Sequence, residues 1–147
     1  MDNKYNYPEL ERVDKDIGRY YKDSKNNLVP SVTTVLSNTS NKSGGLMDWR
    51  LRVGDEEADR VIKQSTDIGT SVHLAIENYL NNNEWSNFGS SYEERISEQI
   101  TQRFISDALK NITEVWGLEV GLILDNLYAG TADCVGMYSD VPSLIDF

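Results

Sequence analysis

Thr113-Glu-Val-Trp-Gly-Leu-Glu-Val-Gly-Leu-Ile-Leu124, Asp125-Asn126, Leu127-Tyr-Ala-Gly-Thr-Ala-Asp-Cys-Val-Gly-Met-Tyr138 and Val141-Pro-Ser-Leu-Ile-Asp-Phe147 make up the closing stretch of this 147-residue chain. Trp116, Leu118, Val120, Leu122 and Leu124 alternate with Val115, Gly117, Glu119, Gly121 and Ile123, which is the period of a strand. Asp125-Asn126 reads as a tight turn, and Ser139-Asp140 ahead of Pro142 as a second. The stretch therefore predicts a three-stranded antiparallel meander. Asp133 falls inside the second strand and Asp146 inside the third, where propensity disfavours them. A buried carboxylate must be paired or bound to a cation. Neighbouring strands lie only ~5 Å apart, so two acids on adjacent strands can converge. Oxygen ligands on a rigid sheet suit Mg²⁺ or Mn²⁺. The competing reading makes Asp133 a strand-end acid bonded to nearby backbone.

The length suffices for one domain with a real core. A formal net charge of −10 disfavours broad electrostatic adhesion to nucleic acid or to anionic membrane, while leaving room for a local basic strip. One cysteine, Cys134, excludes an internal disulfide framework and a cysteine-based zinc site. Met1-Asp-Asn-Lys-Tyr5 carries no apolar signal region, and no run of 18 apolar residues occurs. An intracellular, cytoplasmic soluble protein with no membrane partner is the expectation.

Residues 1–16 read as a loosely held polar lead-in, and Ile17–Tyr21 with Leu28-Val29 as a short hairpin. Ser31 can cap a helix over Val32–Leu36, although the β-branched run also suits a strand. Ser37–Gly45 is a polar loop, then Leu46–Val53 a short helix ended by Gly54. A helix over Glu56–Gln64, capped by Asp55, is predicted to break at Ser65-Thr-Asp67 before another over Ile68–Leu80. The apolar stripe of the latter is Ile68, Val72, Ala75, Ile76 and Tyr79. His73, the sole histidine, lies on the flank of that stripe with Glu77 one turn on. A half-exposed histidine bonded to Glu77 is the plain reading, and a ligand or catalytic group the sharper one. Ser91-Tyr-Glu-Glu94 is a capping box opening a long scaffolding helix to about Asn111. Arg50, Arg52, Arg60 and Lys63 could form a basic strip for DNA, with Trp49 to stack on bases or, alternatively, to anchor its helix in the core.

Gly69-Thr-Ser-Val-His73-x-x-x-Glu77, Glu119, Gly130-Thr-Ala-Asp133 and Ile145-Asp146-Phe147, in that order, resemble the RecB-like branch of the PD-(D/E)XK nuclease superfamily. The likeness is to phage exonucleases and to the mitochondrial genome maintenance exonuclease. Pro30-Ser-Val-Thr-Thr-Val-Leu36 and Leu46-x-x-Trp49…Val53-Gly54 are similar to that family's N-terminal helical part, so the resemblance covers about residues 20 to 147. It implies an α/β (α+β) fold in one domain over 1–147. An N-terminal hairpin and helical region (1–66) would precede a restriction-endonuclease-like core (67–147) whose central mixed sheet is flanked by helices. It further implies metal ligation by His73, Asp133, Asp146 and the Phe147 carbonyl, with Glu119 as a supporting acid or further ligand. The activity implied is metal-dependent DNA exonuclease action on single strands or ends, using Mg²⁺ or Mn²⁺.

The family pattern continues Asp-x-Lys, whereas the sequence stops at Phe147, so the core is expected to be C-terminally incomplete. The lysine steadies the attacking water, and without it the expectation is metal binding with negligible turnover. The alternative function is a non-catalytic module, derived from a nuclease fold, that binds nucleic acid or a partner.

Overall fold

The meander forms as its alternation and turns predict. In the computed structural model, which describes residues 3–40 and 44–147, β4 (Ile112–Leu124), β5 (Tyr128–Tyr138) and β6 (Val141–Ile145) make one sheet in the order β4-β5-β6. Tyr138 pairs with Val141 across Ser139 and Asp140, both with positive φ (47° and 64°), as a two-residue hairpin turn of right-handed twist requires. At the other turn Leu127 N–H donates to the Leu124 carbonyl, and Asn126 takes the left-handed conformation that asparagine tolerates.

Three further strands, β1 (Arg12–Lys15), β2 (Gly18–Lys22) and β3 (Leu28–Pro30), form a second antiparallel sheet in chain order. The hairpin expected near residues 17–29 is β2 and β3. The loose lead-in is corrected, because Arg12–Lys15 pairs with Gly18–Tyr21 in register. Lys4 N–H donates to the Trp116 carbonyl at 2.7 Å, and Tyr5 meets the Trp116 ring edge-on. An added Cβ would strike Tyr7 at Gly117 and the Pro8 carbonyl at Gly121, so these glycines let the N-terminal segment lie on β4. Met1 and Asp2 lie outside the described residues.

The class is mixed α+β. Its strands are divided between two antiparallel sheets in place of the single mixed sheet expected. One parallel bridge, Ser31 to Ala129, links them. Tyr21, Val29 and Ala129 bury themselves at this junction, with Leu10 and Ile123 packed against them. Ser31 also caps α1 (Val32–Thr39), accepting from Thr34 N–H, which decides the helix-or-strand ambiguity in favour of helix. Buried Thr34 in turn accepts from Arg19 N–H and donates to the Arg19 carbonyl, tying α1 to β2.

These elements form one compact unit, the β unit, of residues 3–40 and 113–147; residues 44–112 form a second, helical unit. Within the helical unit, α2 (Gly45–Val53) ends at Gly54, whose φ of 86° suits glycine. The break predicted at Ser65-Thr-Asp67 is absent: α3 is one helix, Asp55–Leu80, with Gly54 and not Asp55 at its N-cap. Residue 66, the expected regional boundary, is thus mid-helix. Thr66 donates its hydroxyl back to the Ile62 carbonyl and Lys63 pairs with Asp67, so neither residue competes for the helix backbone. The stripe residues Val72, Ala75 and Ile76 are buried. α4 (Tyr92–Asp107) opens with the complete capping box of Ser91 and Glu94 and is followed by a 3-10 turn, Leu109–Asn111. The polar loop expected over Ser37–Gly45 is narrowed by α1 and α2; its centre, Asn41–Ser43, lies outside the described residues.

Candidate functional site

Cys134 pairs with Ile145 and Val135 with Leu144, so continuing that register by one residue puts Asp146 opposite Asp133. Directly opposed like charges destabilise a sheet unless something neutralises them. Phe147 N–H donates to Asp133 Oδ2 at 3.0 Å. That bond realises the backbone-bonded reading for one oxygen. A carboxylate oxygen of Glu119 lies within 4.8 Å of one of Asp133. Of the acids on or next to this sheet, Asp133 is half-buried, and Glu119 and Asp146 are exposed.

Glu119 reaches this position through backbone strain. Its φ is 51°, a left-handed conformation that costs a non-glycine residue of order 1–3 kcal/mol. Gly117 and Val120 are buried while Leu118 and Glu119 between them are not. The strict alternation predicted along Trp116–Leu124 thus slips at Leu118-Glu119, as a β-bulge makes it slip. The opposite face of β5 is the dry one. Cys134 is wholly buried there, and burial, reinforced by the charge of Asp133, pushes its thiol up to about 11. The sole cysteine is accordingly a protonated core residue and no nucleophile.

Beside Asp133 and Asp146 opens a cavity of about 610 Å³ within the β unit. Its walls include Leu122, Leu124, Tyr128, Leu144 and Val32, with Arg19, Thr33 and Thr131 as polar contributors. At Gly130 α1 comes close to β5, since a Cβ there would lie 3.1 Å from Val32 Cγ2 and require that side chain to shift. Arg19 and Tyr128 escaped the sequence reading. Tyr128 carried a faint signal, a large ring two residues before Gly130 on the strand that holds Asp133. Arg19 carried none, because its neighbourhood is created by β2 meeting β5, more than 100 residues on.

The other expected site residues belong to the helical unit. His73 is half-buried on α3, one turn before Glu77. Trp49 is half-buried on α2. The basic strip is largely neutralised: Arg50 pairs with Asp55 and Asp59, Arg60 with Glu57, and Lys63 with Asp67. Arg52 stays exposed on α2. The physical reason is local: helical spacing of three and four residues brings each of Arg60 and Lys63 onto an acid of its own helix.

Asp23, missed entirely by sequence reading, is the buried acid with the most donors. It accepts from the N–H groups of Lys25, Asn27 and Asn126 and from the Asn27 amide. Burial works to raise its pKa, but these donors outweigh it and hold the carboxyl below its ordinary value. Ser24 donates to Asp125 beside it, so the β2–β3 and β4–β5 turns are locked together. Its signal, Asp-Ser-Lys-Asn-Asn27, announces a turn and nothing about the partner.

No helix among the described residues is long and apolar enough to cross a membrane. Comparison of the chain with protein-family models, with curated proteins and with solved structures finds no match.

Proposed function

We propose that Asp133, Asp146 and Glu119 belong to the divalent-metal site of a DNA exonuclease of the PD-(D/E)XK kind, working in the cytoplasm on single strands or ends. The observation that carries this reading is the approach of a Glu119 carboxylate oxygen to within 4.8 Å of one of Asp133, with Asp146 opposite Asp133 if the β5–β6 register continues one residue past Cys134 and Ile145. Carboxylate oxygens held on a sheet fit Mg²⁺ or Mn²⁺. Asp133 and Asp146 would hold the ion, with Glu119 as a further ligand or a base for its waters. When bound, such an ion polarises a phosphodiester and lowers the pKa of a coordinated water. Phe147 N–H, bonded to Asp133 Oδ2, fixes the orientation of that carboxylate.

Prolonged digestion of end-labelled single-stranded DNA with Mn²⁺ tests the reading. Shortening that needs the metal and disappears in Asp133→Ala is expected. Shortening that survives EDTA, or survives Asp133→Ala, would remove the site from the chemistry.

A further inference from the structure

We infer that residues 4–10 form a strap that holds β4 in its left-handed conformation at Glu119, with Tyr7 the positioning residue that keeps the Glu119 carboxylate near Asp133. The inference rests on the metal-site reading for the use made of Glu119, though not for the conformation itself. A non-glycine residue stays at positive φ only where its surroundings over-determine it. Glu119, at φ 51°, sits in the middle of β4, where pairing as a strand favours extended backbone. Ser139 and Asp140 need no such device, because a two-residue hairpin turn itself demands positive φ. At Glu119 the restraint has to come from a neighbour, and the strap touches β4 on either side of it.

Gly117 and Gly121 bracket Glu119. A Cβ at Gly117 would lie 2.7 Å from Tyr7 Cε2 and 2.6 Å from Val120 Cγ1. At Gly121 it would meet the Pro8 carbonyl oxygen and, at 2.7 Å, Leu10 Cγ. The strap therefore rests directly on the β4 backbone at both points. Val120, the residue after Glu119, is only 3% exposed and shares the space over Gly117 with the Tyr7 ring. In a regular strand Gly117 and Val120 would face opposite ways; the left-handed residue between them puts both under the strap. Returning Glu119 to an extended φ would swing Val120 out from beneath Tyr7 and into water, which opposes the return. Both ends of the strap are tethered. Lys4 N–H donates to the Trp116 carbonyl, its ammonium pairs with Glu114, and Leu10 packs against buried Tyr21, Val29 and Ala129. The Tyr7 ring carries the contact, since its hydroxyl is buried with no hydrogen-bond partner among the described residues. Lifting the strap would let Glu119 relax, so fewer chains would hold the carboxylate ready and apparent metal affinity would fall in proportion.

Two measurements on the full chain separate the strap from the metal. The NMR Cα shift of Glu119, taken without metal, falls on the helical side of its random-coil value for a left-handed backbone and on the other side for an extended one. Wild type and Tyr7→Phe should show the first, because phenylalanine keeps the ring and drops an unpaired hydroxyl. Tyr7→Ala, which empties the contact, and Gly121→Ala, which pushes Pro8 away, should show the second. Unchanged Cα shifts along β5 and β6 check that the sheet stays folded. In Mn²⁺ titration both Ala variants should bind about tenfold more weakly, and Tyr7→Phe as wild type does. In a Glu119→Gln background Tyr7→Ala should cost no further affinity, since the strap acts through that carboxylate. A Glu119 shift unmoved in both Ala variants would overturn the inference. So would a moved shift with undiminished Mn²⁺ affinity, or a Tyr7→Ala penalty that persists in Glu119→Gln. A moved shift in a chain whose wild type takes up no Mn²⁺ would uphold the strap and overturn the metal reading instead.

Discussion

In the helical unit, polar side chains find partners close in sequence: Arg60 meets Glu57 three residues away, Lys63 meets Asp67 four away, and Ser91 meets Glu94. In the β unit, Ser24 reaches Asp125 across 101 residues, Asp23 reaches Asn126 across 103, and Lys4 reaches Glu114 across 110. The first kind of contact comes with the helix and stays solvated, so it stabilises little. The second kind forms only when distant segments have already met, so it records the tertiary fold. The acids of the candidate site lie on or next to the β4-β5-β6 sheet, in the region of long-range contacts.

Breaking the core of the helical unit should give the largest stability effect. Ile76 is wholly buried on α3, and Ile76→Ala should cost about 2–5 kcal/mol in urea unfolding. If Trp85 and Trp116, one in each unit, report separate transitions, the loss should appear in the Trp85 signal. Equal loss in both signals would show one cooperative body and blur the contrast drawn here.

Next in size is Asp23→Ala, which strips acceptors from three backbone N–H groups and unlocks the two turns. A fall in the thermal midpoint on the order of 5 °C is expected, seen by Trp116 fluorescence. The sign with pH follows from the direction of the shift. Because the folded carboxyl lies below the ordinary 3.8, its contribution is in force above that value and is lost as pH falls through the depressed one. Asp23→Asn should accordingly flatten the acid limb of the stability profile. An unchanged limb would mean that the donors around Asp23 do not favour its charged form.

Smallest is the local contact. Ser91→Ala removes the cap of α4 and should cost about 1 kcal/mol, confined to the helical unit. A cost as large as that of Ile76→Ala would show the capping box carrying tertiary weight that its exposure denies.

The same division explains what could be read ahead of the structure. Capping boxes, helix stripes and the Ser139-Asp140 turn were legible because each is a rule about residues a few positions apart. So was the antiparallel pairing of β5 with β6, since a short turn joins them. The α3 break was misjudged because Ser65, Thr66 and Asp67 favour caps by propensity, while hydrogen bonding to Ile62 and pairing with Lys63 let them stay helical. The slip at Glu119, the burial of Asp23 and the closeness of Arg19 to β5 depend on segments far apart in the chain. No local pattern encodes them.

Central to the account is that the opposed acids of the meander hold a divalent cation. Isothermal titration of Mn²⁺ into the wild-type chain, Asp133→Asn and Asp146→Asn tests this most directly. One Mn²⁺ per chain is expected, with uptake lost in Asp133→Asn and at least strongly weakened in Asp146→Asn. The Asn side chains preserve shape, so circular dichroism should stay unchanged and the loss be attributable to charge. Undiminished uptake in Asp133→Asn, or none in the wild type, would contradict the claim.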